Sequence, residues 1–334
     1  MPGEQVNVTY TLVSCKKGTT EQDSLSPLNV SKMICVLPGL YIGGVPDVTD
    51  VQSLQASGIT HILTVDSAEP KDLPPSLQKM FIRLLDDSSA DLLSYLPECL
   101  TFLTSALETP GSCVLVHCHA GMSRSAAVIV AYMMNTARCP YEEAYRRLQN
   151  KKSDVKIHEE FENQLALFEE MGCDVDTSSA SYKQYRLQKV TQKFPELQKV
   201  PQEVFASDPA SMGQSTDILF RCRKCRRSLF RAGSILNHTL GDGPAAFAHK
   251  RLASLQASQD PTKCTSFFVE PVRWMEDALL GVLDGQLLCP KCNAKLGSFN
   301  WYGDRCSCGR WVTPAFQVHK NRVDEVKPLP IHGR

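Results

Sequence analysis

The sequence predicts an α/β layer domain followed by a small β-rich, metal-binding domain. Three observations carry that expectation. Strand-like and helix-like patterns alternate between residues 33 and 172, as in helices packed on a sheet. One apolar run of strand length, "SCVLVHC" at 112–118, suits a central strand buried on both faces. Seven of the 14 cysteines lie beyond residue 221, most of them paired at short spacing.

Taken in order, residues 1–30 are polar and read as a loose tail. "MICVLPGLYIGG" reads as two short strands around a Pro-Gly turn. "SLQASGITHILTV" reads as a helix stopped by Gly58, then a strand from Ile59 to Val65. "KMFIRLL" is a further strand, followed by the polar loop "DDSSAD". Leu92–Leu107 has apolar residues at helical spacing. After the central strand, "SRSAAVIVAYMMN" is a helix apolar nearly all round, hence buried. "PYEEAYRRL" opens with proline and acids, which suits a helix N-terminus. "HEEFENQLALFEEMG" puts Phe161, Leu165, Phe168 and Met171 on one helix face and ends at Gly172. A first domain therefore spans 31–172. Residues 173–215 have few large apolar side chains and read as a linker, with a short helix near "YKQYRLQKVTQKF". A second, cysteine-rich domain follows at 216–325, with a tail at 326–334.

The 334 residues carry no net charge, but the sum hides an asymmetry. Residues 1–215 hold 18 Lys and Arg against 26 Asp and Glu; residues 216–334 hold 18 against 10. The second part is basic, and "FRCRKCRRSLFR" concentrates that charge where nucleic acid or another phosphate-rich partner could be met. The apolar run Ala126–Met134 is too short to cross a bilayer, so no membrane association is expected. "MPGEQVNVTY" lacks the basic flank and apolar core of a signal peptide. A cytoplasmic and nuclear location follows, with thiols free or metal-bound rather than disulfide-linked. A monomer is expected.

The most informative stretch is "VLVHCHAGMSRS". A cysteine ending a buried strand is either a small hydrophobe or a nucleophile. With Cys118 at the strand end and Ser125 in a buried helix, the amides from His119 to Arg124 can wrap into a cup above the helix N-terminus. Such a cup binds tetrahedral anions. Ala120 and Gly121 let the backbone approach an oxyanion closely. Arg124 offers a planar fork for two phosphate oxygens. The same positive field stabilises a thiolate aimed at whatever the cup holds.

"HCHAGMSRS", a Cys-x5-Arg-Ser loop preceded by His, resembles the active-site loop of the cysteine-based protein phosphatases. "LPGLYIGG", "SGITHILTV", "VLVHCHAGMSRSAAVIVAYMM" and "YEEAYRRL" are similar to the dual-specificity phosphatase family along most of 33–172. The resemblance implies a mixed central sheet with flanking helices and a two-step reaction on a phosphorylated protein, without a catalytic cofactor. Cys118 takes the phosphoryl group and water then releases it. Arg124 binds the phosphate, Ser125 hydrogen-bonds the departing sulfur, and His117 fixes the loop and thiolate. Backbone groups of His119, Ala120, Gly121, Met122 and Ser123 line the cup. The family's acid and base is an aspartate about thirty residues before the cysteine; alignment of the following helix puts Asp86 there, with Asp87 as the alternative. Asp91 reads as a helix cap before Leu92. The loop holds no lysine, which disfavours inositol lipids, and a shallow cup accepts phosphotyrosine and phosphoserine/threonine alike.

In the second domain, "CRKC" at 222–225, "CPKC" at 289–292 and "CSC" at 306–308 stand with Cys264 between them. Two CxxC knuckles supply four thiolates in the tetrahedral arrangement zinc prefers. Cys222, Cys225, Cys264, Cys289, Cys292, Cys306 and Cys308 need one more ligand to fill two structural sites. His238 is the first choice and His249 the second. Either both CxxC knuckles form one site, leaving His238, Cys264, Cys306 and Cys308 for the other, or the ligands group by sequence order. Trp274, Phe299, Trp301, Trp311 and Phe316 read as core of this domain, with some available as a binding face. A catalytic domain followed by "CPKCNAKLGSFNWYG…CSCGRWVTPAF" resembles the Yvh1-like, zinc-binding branch of the family. That branch implies a role in assembling pre-ribosomal particles, with the zinc domain mattering more than catalysis.

Overall fold

The computed structural model describes residues 33–193, 200–212, 217–241 and 264–327. The expected tail at 1–30 and all but Val326 and Lys327 of the tail at 326–334 lie outside them. The chain divides between Val175 and Asp176 into two compact units.

In the first unit, the turn at Pro38-Gly39 joins β1 (Ile34–Leu37) to β2 (Leu40–Gly43). Two short helices, α1 (Val45–Thr49) and α2 (Val51–Ala56), lead through Gly58 to β3 (His61–Asp66) and β4 (Gln78–Arg83). β5 (Val114–His117) is buried along its whole length and lies between β2 and β3. The sheet order is β1-β2-β5-β3-β4, with β1 antiparallel and the rest parallel. It is the mixed sheet expected, with its apolar central strand in the middle.

Period-two alternation sends neighbouring side chains of a strand to opposite faces. Ile62 and Leu115 are register partners, and they meet Val48 and Leu54 from α1 and α2. Leu63 and Val116 point the other way, where the buried helix α4 (Arg124–Ala137) packs against β2, β3 and β5. Around α4 stand α3 (Leu96–Glu108), α5 (Tyr141–Gln149) and α6 (Glu159–Glu170). The helix expected from Leu92 opens instead as a tight turn at Leu93–Tyr95, and α3 begins at Leu96. Pro97 explains the boundary: it lacks an N–H and fits a first turn, where that group needs no partner.

The second unit is antiparallel throughout its described sheets. β6 (Leu219–Cys222) pairs with β7 (Ser228–Arg231) and β15 (Val323–Val326). A five-stranded sheet joins β8 (Ile235–Leu236), β9 (Ser266–Val269), β10 (Asp284–Leu288), β11 (Lys295–Asn300) and β14 (Ala315–His319) in the order β10-β11-β14-β9-β8. A small hairpin pairs β12 (Asp304–Arg305) with β13 (Trp311–Val312). A helical turn, α8, covers Glu276–Leu279. The core is aromatic: Phe220 stacks on Phe230 with centroids 4.8 Å apart, and Trp301 meets Phe316 edge-on at 4.9 Å. Phe299 is buried with them, and the indole N–H of Trp274 donates to Leu229 O at 2.7 Å. Trp311 corrects the expectation of core: it is 55% exposed, because the hairpin turns it outward.

The expected linker at 173–215 is also corrected. Helix α7 (Ala180–Lys193) buries Tyr182, Tyr185, Leu187 and Val190, and Leu187 and Val190 belong to the second unit's core. Gln184 donates to the carbonyl of Thr313, and Lys183 pairs with Glu270 at 2.9 Å. Val204 and Phe205 join the same core. The polar residues between these apolar positions gave the segment its linker-like composition, although one face of the helix is apolar.

One buried polar side chain ties α6 to the loop after β4. Gln164, 2% exposed, accepts from the amides of Leu92 and Leu93 at 2.8 and 2.9 Å and donates to Ala90 O at 2.8 Å. Gln164→Leu leaves those three backbone groups without their partner. Urea unfolding should show a loss of about 3 kcal/mol; a loss under about 1 kcal/mol means the loop finds other partners.

Candidate active site and metal centres

The loop between β5 and α4 closes back on the sulfur that begins it. Cys118 is 1% exposed. Gly121 N–H donates to its Sγ at 3.3 Å, and Ser125 Oγ lies 3.2 Å from the same atom. Gly121 has φ +71°, where side chains are rarely tolerated, and a Cβ there would come within 2.6 Å of Gly43 O. The β2–α1 junction supports the loop from that side. Val45 N–H donates to His119 O at 3.0 Å, and Asp47 Oδ2 accepts from Gly44 N–H at 2.8 Å.

Arg124 heads α4 with its side chain buried. Its Nη1 donates to Asp66 Oδ1 at 2.8 Å and to Leu84 O at 3.1 Å. Its Nε is buried and has no hydrogen-bond partner among the described residues. A buried charged donor left unmatched is costly, so the position is set for an anion. The cup thus combines backbone amides, a helix N-terminus and half of a guanidinium whose other half is already anchored.

His117 is held by Thr64 on the neighbouring strand, with Nε2 and Oγ1 2.7 Å apart. Its Nδ1 lies 3.4 Å from Cys118 O. Burial pushes the imidazole down to about 4 from its ordinary 6.5, so it is neutral at physiological pH. It fixes the loop through hydrogen bonds, without a positive charge beside the sulfur.

The three aspartates of "LLDDSSAD" are sorted by their partners. Asp86 reaches the loop: Ser123 Oγ donates to its Oδ1 at 2.7 Å, and its Oδ2 lies 3.9 Å from Arg124 Nε. Asp87 accepts instead from Ser89 N–H at 2.9 Å and Ser89 Oγ at 2.7 Å. The Ser89 hydroxyl holds the Asp87 carboxyl below its usual range, and these bonds tie it to its own turn, whereas Asp86 is tied to Ser123 of the loop. Asp91 accepts from Ser94 N–H and Ser94 Oγ, capping the turn before α3 as expected. His119 and Ala120 are exposed at the cup's rim, Met122 is half-buried, and Ser123 is buried.

Asp66, Thr64 and the Gly43-Gly44 pair belong to this site and were not singled out from sequence. The available signal was an apolar strand, "HILTVD", ending in a carboxylate beside the strand that carries the cysteine. His158 was missed too; its N–H donates to Ser123 Oγ at 3.1 Å.

The second unit gathers its metal-ligand side chains into two sets of four. Cys222, Cys225, Cys289 and Cys292 form one, and His238, Cys264, Cys306 and Cys308 the other. Each set's ligand atoms lie within 4.8 Å of one another. This is the grouping in which the two CxxC knuckles share a site. His249 lies outside the described residues. The knuckles match in detail. Cys222 N–H donates to Arg227 O at 2.8 Å, and Cys289 N–H to Ala294 O at 2.9 Å. Both turns pass through a residue at positive φ, Arg226 and Asn293.

The spacings suit a tetrahedral ion. Metal–sulfur bonds of about 2.3 Å and metal–nitrogen bonds of about 2.0–2.1 Å place sulfurs about 3.8 Å apart and sulfur and nitrogen about 3.6 Å apart. The sulfurs of Cys222 and Cys292 are 3.8 Å apart, and those of Cys225 and Cys289 3.5 Å. His238 Nε2 is 3.4 Å from both Cys264 Sγ and Cys308 Sγ. Both sets could hold metal ions, and their donors are compatible with zinc.

Comparison with known proteins agrees with the description of the first unit. The family "Dual specificity phosphatase, catalytic domain" matches residues 40–171. The human protein "Dual specificity protein phosphatase 12" is 55% identical over 330 residues, covering 95% of this chain and 97% of its own. "Tyrosine-protein phosphatase yvh1" of Schizosaccharomyces pombe is 32% identical, covering 92% of this chain and 87% of its own. "Tyrosine-protein phosphatase YVH1" of Saccharomyces cerevisiae is also 32% identical, covering 87% of this chain and 90% of its own.

The neutral state of His117 makes stability depend on pH. Below about 6.5 the unfolded chain binds a proton at this residue that the folded chain refuses until about 4. Stability from this source is therefore full above 6.5 and lost as pH falls toward 4. Between pH 7 and pH 5 the loss should be about 2 kcal/mol in the wild type. His117→Gln should abolish that part of the loss in denaturant titrations at the two pH values. An equal pH response in both proteins means that His117 is not the source.

Proposed function

The chain belongs to the dual-specificity protein phosphatase family, in its Yvh1-like branch, and from that premise we propose that it hydrolyses phosphotyrosine and phosphoserine/threonine through a phosphocysteine. The observation that carries the proposal is the buried Cys118 sulfur, met by Gly121 N–H and Ser125, beside an Arg124 whose buried Nε has no hydrogen-bond partner among the described residues. The phosphate of a phosphorylated protein fills the cup, its oxygens facing the loop amides and the free side of the guanidinium. The Cys118 thiolate attacks phosphorus. Asp86, bonded to Ser123 and near Arg124, protonates the departing ester oxygen. In the second step Asp86 takes a proton from water as that water attacks phosphorus, and Ser125 hydrogen-bonds the sulfur as it leaves.

We propose zinc for both four-ligand sets. Four protein ligands close each site and leave no position for a reacting water, so the ions serve folding. We further propose that the second unit is a partner-binding module. Its excess of basic residues and the exposed Trp311 and Tyr302 favour a phosphate-rich partner such as pre-ribosomal RNA. On this reading the chain acts in ribosome assembly as well as in hydrolysis. A reducing compartment, cytoplasm or nucleus, suits its free thiols.

Cys118→Ser should abolish turnover of aryl phosphates. Asp86→Asn should lower kcat/KM for phenyl phosphate by about 100-fold or more, and Asp87→Ala should stay within about 3-fold of wild type. The reverse ranking of the two aspartates would sink the assignment of the acid. Native mass spectrometry of the full chain should find two zinc ions, and His238→Ala should lose one of them. A single ion in the wild type is incompatible with the two-site reading.

A further inference from the structure

Ser123 sits where three segments meet, and its hydroxyl is committed on both sides. It is buried, at 7% exposed. His158 N–H, at 3.1 Å, can only donate, so the serine oxygen accepts there. The hydroxyl has a single proton. Among the described residues its one acceptor is Asp86 Oδ1, at 2.7 Å. Turning that proton elsewhere would leave a buried donor unsatisfied.

A carboxyl oxygen that accepts so short a hydrogen bond is a poor place for the carboxyl's own proton. That proton then belongs on Oδ2, the oxygen 3.9 Å from Arg124 Nε and on the arginine's side of the carboxyl. We propose that Ser123 is a positioning residue: it confines the transferable proton of Asp86 to Oδ2, the oxygen turned toward the phosphate cup. The inference rests on the reading of Asp86 as the general acid. The first step then balances as follows. The Cys118 thiolate forms the S–P bond and the P–O ester bond breaks. The electron pair leaves on the ester oxygen, and the Oδ2 proton passes to that oxygen. The products are a phenol or alcohol, the phosphocysteine and an Asp86 carboxylate still held by Ser123.

The backbone amide of His158 has a part in this device. By occupying one lone pair of the serine oxygen, it fixes the hydroxyl's direction. The loop before α6 is thereby coupled to proton transfer through Ser123.

The test is kcat/KM of the full chain on two aryl phosphates, because this parameter reports the step in which the leaving group departs. Phenyl phosphate has a poor leaving group and needs the acid; para-nitrophenyl phosphate has a good one and needs it less. Ser123→Ala should lose about 10-fold on phenyl phosphate and about 2-fold or less on para-nitrophenyl phosphate. The ratio of the two is measured on one preparation and does not depend on the folded fraction. Ser123→Thr, which keeps the hydroxyl, should restore the ratio. In an Asp86→Asn background, Ser123→Ala should leave the ratio unchanged. Equal losses on both substrates, an unaltered enzyme, or a ratio that still moves in the Asp86→Asn background would each overturn the proposal. If Asp86→Asn alone leaves phenyl phosphate turnover intact, the acid assignment fails and the proposal falls with it. An Asp86→Asn effect without a Ser123→Ala effect defeats the serine's role alone.

Discussion

The first unit depends on one buried cation held at one end and left open at the other. Arg124 is pinned by Asp66 and Leu84 O through a single nitrogen, Nη1, while its Nε is buried without a hydrogen-bond partner among the described residues. The ion pair with Asp66 offsets the cost of burying the charge, which alone would be several kcal/mol. It also aims the guanidinium, because a planar fork anchored at one nitrogen has little freedom left. The sheet supplies both ends of this arrangement. Asp66 closes β3, Arg124 follows β5 through the loop, and the two strands are parallel neighbours. Parallel register thus brings a carboxylate and an arginine from distant parts of the chain to the same edge of the sheet.

The same edge collects the rest of the site. β2 ends at Gly43 against Gly121, and β3 presents Thr64 to His117. β4 leads into Leu84, whose carbonyl receives Arg124, and then directly into Asp86. Ligand sites of parallel sheets form beyond the carboxyl ends of the strands because loops there converge on one crevice. The second unit solves a different problem. Its sheets are small, and its core is completed by sulfur-rich turns whose backbones repeat one pattern at Cys222 and Cys289. A tetrahedral ion at each four-ligand set would link segments as far apart as residues 222 and 292.

Legibility in the sequence followed separation along the chain. Cys118, Arg124 and Ser125 were readable because the chemistry demands them within one loop, and the buried strand and helix around them are continuous apolar runs. The CxxC pairs were readable for the same reason. Asp66 and Thr64 were not, because they act across 58 and 53 residues and look in sequence like ordinary strand residues. Gln164 bridges more than 70 residues and resembles any polar helix position. The grouping of metal ligands stayed open at the level of spacing, since either arrangement satisfies it; the fold brings the two CxxC knuckles together. Helix α7 was legible as a helix, but its burial in the second unit's core was not, because its buried face is carried by two tyrosines, a leucine and a valine among polar residues.

The acid loop shows how these long-range contacts bear on chemistry. Asp86 is not held by its own segment. Its neighbours Asp87 and Asp91 spend their oxygens on local turns that stiffen the loop. Gln164 anchors the far end of that loop to α6, and Ser123 receives the near end beside the cup. The segment before α6 returns to the same serine through His158. A proton donor must lie within hydrogen-bond reach of an atom that exists only when substrate is bound. Placing its carrier between two fixed anchors, one on α6 and one at the head of α4, sets that reach before substrate arrives. The side chains that make no contact with phosphate therefore carry much of the preorganisation on which its transfer depends.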